Sequence, residues 1–249
     1  RNTFAGPTGS FPVEDYFALH AWQSKLFQPW QMITHMFLHG DFGHILGNMF
    51  ALWMFGSVLE NVWGPKRFLL FYILCGVGAS VLHLLILSYE FVPMASDLMQ
   101  LSQMSVSGSS DFNQAVLAYS KAHNIQLTRI LSENNVSLAT PGIRTEIMEL
   151  LTNNYNKTLN TATLGASGGV FGIIMAFVYL FPNTYIYIYF FFPIKAKWLG
   201  ILYFSYELFF AVRNTAGDNV ARWAHVGGAI VGFVLVYLWS KKERNNRWN

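Results

Sequence analysis

Apolar stretches of membrane-crossing length recur along this chain, and that recurrence constrains its fold more than any other feature. A helix needs about 20 mostly apolar residues to cross roughly 30 Å of hydrocarbon. Five segments qualify as candidates: His39 to Leu59, Phe68 to Ser88, Leu164 to Phe181, Trp198 to Val212 and Trp223 to Trp239. Pro182-Asn183 stops the third, and Pro193 separates the aromatic stretch Tyr185 to Phe192 from the fourth. Composition agrees: 53% of the 249 residues are hydrophobic and 12% charged, where a soluble domain carries about a quarter charged. Twenty-two Phe and eight Trp are difficult to bury in one soluble core of this length. The expected fold is all-α, a polytopic bundle of membrane helices with the lipid bilayer as its immediate partner.

Basic residues test the layout. Lys66 and Arg67 lie between the first two spans, and Lys195 and Lys197 between the third and fourth. Lys241, Lys242, Arg244 and Arg247 follow the fifth. Alternating spans put all three clusters on one face, which the positive-inside rule makes cytoplasmic. Residues 1–38, 89–163 and 213–222 then share the opposite face. The expected division is an extracytoplasmic loop region at 1–38, the first two membrane helices at 39–88, and an extramembrane helical insertion at 89–163. The last three membrane helices follow at 164–240, and a cytoplasmic basic tail at 241–249. With a net charge of only +3, nucleic acid is not an expected partner.

The insertion is Ser/Asn/Thr-rich, with six acids against four bases. Met and Leu at helical spacing predict amphipathic helices over Asp111 to His123 and Gly142 to Asn154, the second opened by Pro141 after a Thr140 cap. Asn135 and Asn156 head Asn-x-Ser/Thr sequences, which matter only in a eukaryotic secretory setting. The single cysteine, Cys75, reads as a packing residue. The chain opens on Arg1 with neither a signal peptide nor a membrane-length stretch before residue 28, so a start partway into a longer protein is expected.

Three places carry chemistry. Ser167 lies in Gly165-Ala166-Ser167-Gly168 at the start of the third span. There the first-turn N–H groups and the positive helix end favour a serine alkoxide or a tetrahedral oxyanion. His225 lies in the fifth span, in a run where Ala224, Gly228 and Gly232 form a smooth face that another backbone can approach. If that partner is the Ser167 helix, with Gly168 and Gly172 on its own face, imidazole and hydroxyl come within hydrogen-bond range. His44 and Asn48, four apart, project from one helix face, and both side chains can donate to an oxyanion. Taken alone, Asn48 reads as interhelical polar glue. His35 and His39 have the spacing of helical zinc ligands but lack the intervening glutamate, so no metal is expected and a structural role is assigned. His20, His83 and His123 receive no role. Glu60 is expected to pair with Lys66 or Arg67. Glu207, embedded in the fourth span, is expected to pair with a neighbouring helix.

Together the runs His39 to Asn48, Gly165 to Gly168 and Ala224 to Gly232 resemble the rhomboid intramembrane serine proteases. The resemblance implies a six-helix bundle, of which five spans are visible here, opening to the extracytoplasmic side through a water-filled depression. It implies Ser167 as nucleophile and His225 as base. His44, Asn48 and the Ser167 backbone N–H would form the oxyanion hole, Gly228 and Gly232 the close helix contact. Phe171 would pack on the His225 ring. The sequence departs from the family where a helix before the loop ending at Trp30 is missing. It also departs where the usual Trp-Arg pair reads Trp30-Gln31, removing a charged anchor, and where Phe171 replaces a frequent Tyr. The 89–163 insertion is longer than the usual connection.

The functional expectation is an intramembrane serine endopeptidase, without cofactor, cleaving single-pass transmembrane proteins near their extracytoplasmic boundary through an acyl-enzyme. The alternative is a catalytically inactive rhomboid-like protein that binds membrane clients; a transporter using Glu207 comes third. The expected location is a bacterial cytoplasmic membrane, with the C-terminus cytoplasmic.

Overall fold

A computed structural model describes residues 13–134, 136–138, 142–188, 191–213 and 221–246. All five apolar stretches are helical. Three of these helices are long and apolar enough to cross a membrane: Phe42–Trp63 (α1), Pro65–Ser107 (α2) and, in α8 (Arg222–Asn246), the stretch Arg222–Arg244. The other two are α6 (Ser167–Leu180) and α7 (Ala196–Arg213).

α1 begins where Asp41, in extended backbone, accepts the His44 backbone N–H at 2.8 Å. That side-chain cap satisfies one of the four donors a helix start leaves open. A π turn at Leu52–Gly56 lies inside the helix. Gly64, at φ +78°, ends it, and Pro65 occupies the first position of α2. Glycine tolerates that left-handed turn, and proline needs no N–H partner at a helix start.

α2 runs for 43 residues, well past the expected end at Ser88, with Pro93 inside it. Its continuation has a packing cause. Phe91, Met94, Leu98 and Leu101 recur at helical spacing and are buried against Phe112, Val116, Ile147 and Leu151 of the insertion. The insertion thus builds its core on the outer half of a membrane helix. Its helices are α3 (Phe112–Ala122), α4 (Leu127–Glu133) and α5 (Arg144–Leu159). α4 was not expected, and α5 reaches five residues further than the predicted helix. The Thr140 cap, Pro141 and Asn135 lie outside the described residues, whereas Asn156 is exposed on α5.

Between α6 and α7 lies an antiparallel hairpin, β1 (Tyr185–Ile188) and β2 (Phe192–Lys195), in place of the plain aromatic stretch that the sequence suggests. The membrane core gathers Phe71 and Cys75 of α2, Val170, Ile173 and Ala176 of α6 and Val236 of α8. α6, α2 and α8 pack against one another. At 14 residues α6 is about 21 Å long, shorter than the roughly 30 Å of a hydrocarbon layer. Its two ends therefore cannot both reach the faces of such a layer if it stands upright.

On the basic face the expected partner of Arg67 needs correction. Arg67 pairs with Glu243 of α8, not Glu60, and its guanidinium lies 5.4 Å from the Trp63 ring centre and 4.6 Å from that of Trp239. Glu60 is fixed by the helix on an exposed position, whereas the α2–α8 packing carries Glu243 to the guanidinium.

Candidate active site

The loop before α6 is tied down before the chemistry begins. Leu19 and Thr163 exchange backbone hydrogen bonds at 2.8 Å each, and the Gly165 N–H donates to the His35 carbonyl at 3.0 Å. His83 Nε2 meets the Thr163 hydroxyl at 2.9 Å. Gly165 has φ +129°, and a Cβ there would lie 2.8 Å from the His44 imidazole. Both the backbone turn and the ring above it require glycine.

Ser167 is the first residue of α6 and is half-buried. His225, one turn into α8, brings Nε2 to 2.7 Å from the Ser167 Oγ. Small residues make that approach possible. A Cβ on Gly228 would lie 1.8 Å from the Gly168 carbonyl oxygen, and one on Gly232 2.5 Å from the Gly172 backbone. Gly172 in turn faces Cys75 of α2. The two helices touch backbone to backbone along this line. The Phe171 ring stacks on the His225 imidazole at 4.4 Å and 12°.

His44 and Asn48 of α1 line the same cavity as Ser167 and His225. Gly40 N–H points at His44 Nδ1 (3.4 Å), which leaves Nε2 as the proton-bearing nitrogen, on the side of Gly165. Asn48 is buried, and its Nδ2 has no hydrogen-bond partner among the described residues. Native proteins rarely leave such a donor unmet. An amide and an imidazole N–H thus lie open beside a serine at a helix N-terminus, where backbone donors and the macrodipole favour negative charge.

His35 stands apart from this chemistry, and His39 borders it without touching Ser167 or His225. His35 donates from Nδ1 to the Gln31 carbonyl at 2.8 Å, and burial drives its imidazole down to about 4. His39 lies edge-on to His44 with ring centres 5.2 Å apart. His20 contacts the Ala18 carbonyl, and His123 pairs with Asp97 at 2.8 Å.

Two residues do more than their sequence context announced. Gln31 does not leave its loop unanchored. Fully buried, its amide donates to the Leu26 and Asp15 carbonyls and accepts from the His20 and Gln28 N–H groups. A neutral hub stands where a charged anchor was expected to be lost. Glu207, expected to join a neighbouring helix, reaches His225 itself: Oε2 is 2.9 Å from Nδ1. An acid well inside an apolar helix was the available signal; which face of the helix it presented was not.

The site opens into a cavity of about 2380 Å³. Its walls come from α1, from the loop before Ser167 and from the insertion, including Ile125, Arg129 and Lys157.

Fold and site define a membrane helical bundle with a serine and a histidine in contact beside a cavity. The Rhomboid domain model matches residues 26–140 and 112–242, and the chain belongs to the rhomboid family. It is 26% identical to RHOMBOID-like protein 12, mitochondrial, of Arabidopsis thaliana, over 82% of this chain and 44% of that protein. Rhomboid protein 1, mitochondrial, of Saccharomyces cerevisiae is 24% identical over 87% of this chain and 44% of its own length. Rhomboid protease GluP of Bacillus subtilis is 32% identical over 35% of this chain and 17% of its own. The chain spans about half the length, or less, of these curated relatives. No solved structure matches it significantly.

These relatives overturn the expected bacterial cytoplasmic membrane. Three relatives aligned over more than four fifths of the chain are named mitochondrial and come from a plant and two yeasts. The basic flanks that suggested a bacterial location order the two faces of a membrane; they do not say which membrane it is.

Proposed function

We propose that this chain is an intramembrane serine endopeptidase of a mitochondrial membrane, acting on single-pass transmembrane proteins. The observation that carries the reading is the 2.7 Å contact between Ser167 Oγ and His225 Nε2. His225 takes the hydroxyl proton as Ser167 attacks the scissile carbonyl. The resulting oxyanion is held by the Ser167 backbone N–H, the His44 Nε2–H and the Asn48 amide, and each such donor lowers the barrier by about 2.7–4 kcal/mol. His225 then gives its proton to the leaving amine, and an acyl-enzyme remains on Ser167. Water entering through the cavity is deprotonated by His225 and releases the acid. No cofactor takes part. Gly168, Gly228 and Gly232 hold the two helices at the distance the transfer needs, and Gly165, expected to share that packing, instead makes room for the His44 ring. A substrate helix must unwind locally to present its bond, which favours small or helix-breaking residues there. In this reading, residues 89–163 form a cap above the site.

Purified protein should cleave a transmembrane reporter and label with a fluorophosphonate, and Ser167→Ala should lose both. Cleavage that survives in Ser167→Ala ends the proposal. Failure of the unsubstituted protein to label favours the inactive client-binding alternative.

A further inference from the structure

We propose that Glu207 is a positioning residue for the reactive pair, making Ser167 and His225 the working end of a Ser–His–Glu chain. The inference rests on the peptidase reading above and deepens it. Glu207 of α7 meets His225 Nδ1 at 2.9 Å, while His225 Nε2 meets Ser167 Oγ at 2.7 Å. The three side chains form one chain of contacts across α7, α8 and α6.

A carboxylate offers only acceptors, so the imidazole nitrogen facing it must be the donor. With the proton on Nδ1, the lone pair sits on Nε2 and points at the serine hydroxyl. That is the tautomer a general base requires; the other turns an N–H toward the serine and accepts nothing. Once the ring has taken the serine proton it is cationic, and Glu207 is the counter-charge in direct contact. The proton stays on the imidazole until it goes to the leaving amine, and Glu207 neither gains nor loses one.

A simple ion pair between Glu207 and Arg222 is the competing account, and distance ranks it second. Arg222 lies one turn before His225 on α8, yet its Nη1 is 3.5 Å from both Glu207 oxygens, at the outer edge of hydrogen bonding. Its guanidinium also lies over the rings of Tyr206 and Phe210, at 5.5 and 5.0 Å. Arg222 thus supplies positive field behind the carboxylate, whose short directional contact goes to the imidazole. The carboxylate side chain is 5% exposed, a degree of burial at which a charge requires partners. Tyr203, one turn earlier on α7, packs on Phe171, and Phe171 on the imidazole face. One helix therefore holds the same ring by its edge and, through Phe171, by its face.

The test measures kcat and KM separately for reporter cleavage by the full chain in lipid nanodiscs, with Glu207→Gln and Glu207→Asp. Glu207→Gln should lose kcat by up to about 10⁴-fold, the loss seen when a triad acid becomes an amide, while KM stays nearly constant. Glu207→Asp, which restores the charge, should recover part of the rate. Nitrogen-15 spectra of histidine-labelled unsubstituted protein should show His225 protonated at Nδ1 and bare at Nε2 at neutral pH. Unchanged kcat in Glu207→Gln, or a loss confined to KM, overturns the proposal. So does an Nε2–H tautomer, a readout that requires no variant to fold. Absence of fluorophosphonate labelling in the unsubstituted protein fails the peptidase reading first, so the two failures read apart.

Discussion

Asn48 holds a buried amide donor with no partner among the described residues, and leaving such a group unmet costs about 1–3 kcal/mol. Evolution tolerates that cost where a ligand or a transient charge meets the donor. Asn48→Ala should therefore lower kcat by about 10²–10³-fold while the thermal midpoint in detergent stays level or rises. A variant that unfolds early and keeps its rate assigns Asn48 to packing instead. His35 makes the opposite kind of contribution. Its imidazole is buried neutral, down at about 4, whereas the unfolded group titrates near 6.5. The unfolded chain thus binds the proton first as pH falls. The stabilising share is complete above about pH 6.5 and is lost progressively toward pH 4, up to about 3 kcal/mol. Midpoints measured between pH 7.5 and 4.5 should fall, and His35→Asn should flatten the slope; an equal slope in both proteins refutes the assignment. At this scale the sequence was most legible where residues lie within a few positions on one helix. His44 and Asn48 share a face by spacing alone, and Ser167 announces itself at a helix start. Glu207 was recognised as a buried acid needing a partner. Its contact with His225 was not legible, because the rotation of α7 against α8 is set by packing between helices, not by either helix's own pattern.

Among elements, the decisive contact is α6 against α8. Gly228 meets the Gly168 carbonyl where a Cβ would stand 1.8 Å from the oxygen. Gly228→Ala must push the two backbones apart, at a cost of about 1–3 kcal/mol or more. The same shift lengthens the Ser167–His225 contact, so fluorophosphonate labelling should fall together with the thermal midpoint. Labelling at the original rate would show that the helices accommodate a methyl group. The four-residue spacing of small residues made this face readable from the chain. The end of α2 was not readable: hydropathy drops after Ser88, but the helix continues because Phe91, Met94, Leu98 and Leu101 find a core supplied by residues as distant in sequence as Ile147 and Leu151. The hairpin had a signal that went unused. Tyr185-Ile186-Tyr187-Ile188 alternates with period two and is β-prone throughout, and the abundance of rings hid the alternation.

For the molecule as a whole, membrane class and family were legible because apolar runs, basic flanks and three short motifs are all local in sequence. The membrane's identity was not, since every membrane imposes the same hydrophobic demand. α2 is the feature with the widest reach: at 43 residues it is about 64 Å long, about twice the thickness of a hydrocarbon layer. It works as a mast, rooted among the helices that bear Ser167 and His225 and carrying the outer helices at a set height and compass bearing. Each residue added to a helix lifts the chain beyond it by about 1.5 Å and rotates it by about 100°. Inserting one alanine between Ser88 and Pro93 should swing the outer helices to face away from the serine. Inserting seven restores the bearing to within about 20° while lifting them by about 10 Å. If the outer helices steer clients, the seven-residue variant should cleave a tethered reporter better than the one-residue variant. If both match the parent, orientation on the mast has no part in selecting what is cut.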